Sequence, residues 1–194
     1  MNRLQQLWNY DRYSTPVARG RRLFFYQQTG LQNQPALYVQ DGDGAPRLLI
    51  DPNTWVADGA NAIASFEPSP DGSLLAYAGQ DGGSDWRVIR VLDVATGRTL
   101  ADEIRWAKFT GVEWHPDGRS FYYSRYPEPP EGQMYTALNY NHAVYRHRIG
   151  APQGEDELAY ASPEHARDRV GAEVRDDDRW LVFSVDGGTD RRYE

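Results

Sequence analysis

SFEPSPDGSLLAYAG (65–79) carries an apolar-alternating run, a tight Pro-Asp-Gly turn, and then a run of branched and aromatic residues. The same phrase returns, altered, as GVEWHPDGRSFYYSR (111–125) and as GAEVRDDDRWLVFSV (171–185), where the turn reads Asp-Asp-Asp. Alternating polarity suits a strand, and Asp or Gly at the centre suits a sharp reversal, so each copy reads as a β-hairpin. Turn residues Gly20, Gly72, Gly118 and Asp178 are spaced by 52, 46 and 60 positions. Four-stranded units recurring at roughly 40–50 residues are the signature of β-propeller blades, whose apolar faces only neighbouring blades can cover.

Working outward from the hairpins fills in the blades. RRLFFYQQ and PALYVQDG read as strands around TGLQNQ, and DGDGAP turns the chain into RLLID. After the 65–79 hairpin come a polar turn, QDGGSD, then WRVIRVLDV, a turn at Ala95-Thr96-Gly97, and RTLADE. AVYRHRIG and EDELAYA complete the third unit after an excursion at 127–141 that is longer than a blade needs. Long loops in compact domains are usually functional or disordered. The expected organisation is a short helical or linker segment at 1–13 and a partial all-β propeller at 14–194. Blade 1 is expected at about 14–50, blade 2 at about 62–104, blade 3 at about 109–160, and a fourth blade begun at about 170–194. Closed propellers carry about 4–8 blades, so three and a half would be completed either by a second copy or by more chain.

Composition narrows the function classes. A chain of 194 residues suits one sizeable domain. Its formal charge of -7 argues against nucleic acid and anionic membrane as partners. Twenty of the 21 basic residues are arginine, and Lys108 is the sole lysine. The absence of cysteine excludes disulfides, thiolate nucleophiles and Cys-ligated zinc. The N-terminal stretch lacks a signal-peptide core, and no apolar run approaches the ~20 residues of a membrane span. The chain therefore reads as soluble, with the cytoplasm as the expected compartment and the periplasm as the alternative. His115, His142, His147 and His165 show no metal-ligand spacing and read as solvated or strand-surface residues. DGDG (41–44) and RDDDR (175–179) read as blade turns rather than calcium loops. Neither a metal nor a cofactor is expected.

GRRLFFYQQTGLQNQPALYVQD (20–41) resembles the first propeller blade of the prolyl oligopeptidase family. The resemblance continues in order through LIDPN (49–53), FEPSPDGSLLAYAGQDGGSDW (66–86), AKFTGVEWHPDG (107–118) and GAEVRDDDRWLVFSV. It implies a seven-bladed propeller that caps an α/β-hydrolase peptidase domain, acting on short peptides on the carboxyl side of proline. The family's serine, aspartate and histidine belong to the hydrolase domain, and no Gly-x-Ser-x-Gly elbow occurs in these 194 residues. No catalytic residue carries over, and the chain by itself is expected to be inactive.

Two substrate-binding positions carry over by resemblance. Phe109, in AKFTG, matches a propeller phenylalanine that lines the pocket for the third residue upstream of the cut. Asp85, in GGSDW, matches an aspartate near the domain interface that influences a substrate-holding arginine. Read without the resemblance, Phe109 is a blade-core residue, Asp85 caps a turn, and Trp86 packs between blades. Arg169 falls near an apolar pocket position of the family and departs from its pattern. The 127–141 loop corresponds to one that affects substrate entry. Two functions follow. One is a fragment of a prolyl oligopeptidase-like serine endopeptidase that gates access and contributes to the outer substrate pocket. The other is a non-catalytic, propeller-derived binding or scaffold protein that self-associates.

Overall fold

The computed structural model describes residues 3–56, 60–82, 84–175 and 178–187. A single short helix, α1 (Arg3–Trp8), precedes the strands. The first sheet holds β1 (Arg12–Tyr13), β2 (Val17–Arg19), β3 (Arg22–Gln28), β4 (Ala36–Asp41) and β5 (Arg47–Ile50). A second, seven-stranded sheet runs in sequence order through β6 (Ala62–Pro68), β7 (Leu74–Gln80), β8 (Arg87–Asp93), β9 (Arg98–Trp114), β10 (Ser120–Arg125), β11 (Ala143–Arg148) and β12 (Glu157–Ala161). The hairpin of β13 (Arg169–Val174) and β14 (Leu181–Asp186) opens a further unit. Every pairing is antiparallel. Among the described residues no helix is long and apolar enough to cross a membrane.

The seven-stranded sheet is two blades that share one strand. β9 pairs with β8 over Arg98–Ala107 and with β10 over Ala107–Trp114. The sequence pattern separates RTLADE from VEWHP, whereas the backbone passes from one to the other without a loop. Trp106 and Phe109, on either side of the change of partner, take left-handed backbone angles of φ 62° and 54°. Such kinks re-aim a strand that must leave one ladder and enter the next.

The joints between blades hold the core. Phe24, Leu37 and Val39 of the first sheet pack on Leu75, Tyr77 and Leu92. The opposite face of the same strand, β7, sends Ala76 and Ala78 toward Trp114, Phe121 and Tyr123. Tyr122, on the other side of β10, packs with Val144 and Val170, and Phe183 and Val185 lie against that cluster. Successive strand residues point to opposite faces, and a middle blade is covered on both. Its strands therefore read as continuous apolar runs such as SFYYS rather than as alternation. Full burial of an aromatic or branched side chain contributes roughly 1.5–3 kcal/mol relative to exposure.

The repeated turns close alike. In the first copy, the Gly72 amide donates to Ser69 O and the Ser69 amide to Leu74 O. In the second, Gly118 donates to His115 O, and in the third, Asp178 to Arg175 O. The turn residue is left-handed in all three, with φ of 71°, 65° and 56°. Asp176 and Asp177 of the third turn lie outside the described residues. Gly72 has a second reason to be glycine. A Cβ there would meet Arg19 O at 2.7 Å, and one on Gly20 would meet Asp71 O at 2.5 Å, so two turns of adjacent blades press backbone to backbone.

Candidate functional site

The bend of β9 is held from several sides. The Tyr126 amide donates to Trp106 O at 3.1 Å, and Arg87 Nη1 donates to Thr110 O at 3.0 Å. The Ser124 amide donates to Thr110 Oγ1 at 2.8 Å. A left-handed phenylalanine costs on the order of 1–2 kcal/mol and persists only where the surroundings over-determine it. Here they do, and the ring they display is 46% exposed. Phe109 therefore lies outside the blade core. It forms one wall of a cleft of about 110 Å³ lined also by Thr110, Val112, Tyr122, Ser124 and Ala172.

Two cations flank that ring. Lys108 Nζ lies 5.2 Å from the Phe109 centroid and 5.0 Å from that of Trp86. The Arg169 guanidinium carbon lies 5.7 Å from the Phe109 centroid, and Arg169 is also paired with Asp186. The ammonium of Lys108, on a side chain only 13% exposed, approaches the Asp85 carboxylate at 3.7 Å. It also donates to Asn139 Oδ1 at 3.4 Å. The turn before β8 is closed by Ser84, whose Oγ accepts from the Trp86 amide at 3.1 Å. Asp85 is thus left facing Lys108, with its side chain 65% exposed.

Trp86 ties the 127–141 loop to this cluster. Its Nε1 donates to Met134 O at 2.7 Å, and its ring meets Trp106 and Tyr126 edge-on at 5.8 and 6.2 Å. The structure therefore gathers Asp85 and Trp86 of the second unit, Lys108, Phe109 and the long loop of the third, and Arg169 of the fourth. Lys108 and His142 are members that sequence reasoning missed. For Lys108 the signal was its status as the sole lysine in an arginine-rich chain, adjacent to Phe109.

The histidines need correction. His142 and His147 were expected to be solvated or on strand surfaces, yet both are buried. Burial holds the His142 imidazole down at about 4, with the nearby Arg169 charge adding to the effect and a hydrogen bond to Lys108 O opposing it. Its Nδ1 accepts from the Val170 amide at 3.0 Å, which places the ring proton on Nε2, 3.1 Å from Lys108 O. His147 sits between two carboxylates, with Nε2 2.9 Å from Asp102 Oδ1 and Nδ1 2.7 Å from Asp156 Oδ1. Burial alone would push this imidazole down, but hydrogen bonds and charge from both aspartates raise it overall. Asp156 also accepts from the Tyr123 hydroxyl at 2.6 Å, and Asp102 from the Gly150 amide at 2.6 Å. This network ties the outer strand of the second blade to the third, and its Tyr123 also lines the cleft. Among the described residues, no group of three or more His, Asp or Glu is arranged to hold a metal ion.

The blades and their joints define a β-propeller domain. The sequence model described as prolyl oligopeptidase, N-terminal beta-propeller domain, matches residues 1–193. The chain belongs to the prolyl oligopeptidase family, within that propeller. A prolyl endopeptidase of Elizabethkingia meningoseptica is 37% identical over 186 residues, which is 96% of this chain and 26% of that protein. The prolyl oligopeptidase ophP of Omphalotus olearius is 32% identical over 207 residues, covering 94% of this chain and 27% of its own length. Among solved structures, one from a study of two prolyl endopeptidases superposes with a TM-score of 0.84 at 42% identity, covering 94% of this chain and 26% of that one. Prolyl oligopeptidase B of Galerina marginata, bound to a 35mer hydrolysis and macrocyclization substrate, gives a TM-score of 0.85 at 28% identity, covering 97% of this chain and 29% of that one. The chain spans about a quarter of the length of the curated relatives it matches.

Proposed function

We propose that this chain is the substrate-admitting propeller portion of a prolyl oligopeptidase-type serine peptidase acting on short proline-containing peptides. In this reading it works against an α/β-hydrolase peptidase domain, and the Phe109 cleft receives a peptide side chain upstream of the cut. The observation that carries the reading is the conformation of Phe109. A half-exposed aromatic ring held in a left-handed backbone, flanked by two cations, belongs to none of the apolar clusters of the blades among the described residues. A strained residue that displays an apolar wall beside a cleft is what a binding site requires. Asp85 sets the charge at this end through Lys108, and the loop pinned by Trp86 gates the approach.

In the full-length peptidase, Phe109→Ala should raise KM for peptides with a bulky residue at the third position upstream of the cut. Loss of the aromatic wall removes roughly 1–3 kcal/mol of binding, and kcat for dipeptide substrates should stay unchanged. Equal KM in variant and parent for both long and short substrates would return Phe109 to a purely structural role.

A further inference from the structure

We propose that His142 is the positioning residue of the Phe109 cleft, spacing its two walls by bridging them; this rests on reading the cleft as a peptide pocket. Those walls are the second half of β9 and β13, which lie side by side with no backbone ladder between them. The His142 imidazole spans the gap at the Phe109 end, and farther along the Glu113 carboxyl of β9 meets the Val174 backbone of β13. On one side the imidazole donates from Nε2 to the carbonyl of Lys108, the residue immediately before Phe109. On the other, its Nδ1 accepts from the amide of Val170, the residue immediately after Arg169. Arg169 in turn lies over the Phe109 ring. The two side chains that face each other across the opening are therefore each one residue from an anchor on the same rigid ring.

Three features make the bridge stiff. The bridge consumes both ring nitrogens in opposite roles, so only the tautomer with its proton on Nε2 fits. The Tyr126 ring, 4.4 Å away and tilted by 34°, holds the plane of the imidazole. Ser124 Oγ donates to Val170 O at 2.8 Å, so both backbone groups of Val170 are bound by side chains of the third blade. A flexible side chain at 142 would let the walls drift, and Phe109 would lose one restraint on its left-handed angle.

The test uses the 194-residue chain in the associated state that sedimentation assigns it, isotope-labelled for NMR and titrated with acetyl-Phe-Gly-Pro-amide and with acetyl-Gly-Gly-Pro-amide. His142→Ala should speed amide exchange at Val170 about tenfold or more, the consequence of losing one buried acceptor. It should also move the Phe109 resonances and reduce the preference for the phenylalanine peptide about fivefold, through a softened pocket. His142→Asn, which keeps an acceptor near Val170, should restore protection there. His142→Gln, which keeps a donor toward Lys108 O, should restore the Phe109 resonances and part of the preference. These two variants carry the test if the alanine variant fails to fold. Unchanged exchange at Val170 together with unchanged Phe109 resonances in His142→Ala would overturn the proposal. So would asparagine and glutamine variants that behave as alanine does. A parent chain whose Phe109 responds to neither peptide would remove the reading of the cleft as a peptide pocket, while exchange at Val170 would still decide whether His142 spaces the walls.

Discussion

Replacing His147 with leucine probes the buried charge network between the second and third blades. The imidazole and both of its aspartates have side chains only 1% exposed. Leucine fills much of the same volume but leaves the Asp102 and Asp156 carboxylates facing each other without the cation between them. Asp102 is already demanding, because its Oδ2 is buried with no hydrogen-bond partner. Removing one member of a buried, hydrogen-bonded ion pair costs about 3–5 kcal/mol, chiefly because the charge left behind stays desolvated. The cost should depend on pH in a definite direction. The His147 pKa is raised above its ordinary 6.5 in the fold, so the folded chain holds this proton more tightly than the unfolded chain does. The stabilisation is then complete below about 6.5 and is lost as pH rises through the higher folded value. Urea unfolding of parent and His147→Leu chains from about pH 6 to about pH 9 measures both effects. The gap between the two should be widest at the acid end and narrow toward the alkaline end. A loss below about 1 kcal/mol, or parallel pH profiles, would refute the account of a buried imidazolium.

Two further outcomes follow from the turns and the edges. Asp178 occupies the left-handed position that glycine fills in the other two copies, so Asp178→Gly should stabilise the chain by about 0.5–1 kcal/mol in thermal or urea unfolding. A decrease would show that the aspartate side chain itself supports the turn. The 194-residue chain, of 22.1 kDa, should associate at micromolar concentration in sedimentation equilibrium, with a dimer as the simplest product. The edge of β14, which pairs with no strand among the described residues, and the 63% exposed Trp180 beside it are the reason, and a folded, cooperative monomer would contradict it.

The sequence by itself determined the hairpins, their order and the family. Turn chemistry and strand periodicity are local, so Pro-Asp-Gly between apolar runs announces a reversal wherever it occurs. Even the apolar runs without alternation were informative, because a strand covered on both faces has no polar side to show. Phe109 and Asp85 could be singled out only by resemblance, since one phenylalanine in a strand looks like any other until its exposure is known.

The tertiary structure alone decided the rest. Nothing local announces that β9 runs unbroken from one blade into the next. Its two left-handed residues are held by Tyr126, Arg87 and His142, none of them adjacent in sequence. The histidines follow the same logic. His147 meets Asp102 across 45 residues and His142 meets Lys108 across 34, so periodicity could not reveal that both rings are buried and satisfied. A buried polar side chain is defined by the partners that replace water, and in a propeller those partners come from neighbouring strands and blades that only the folded chain brings together.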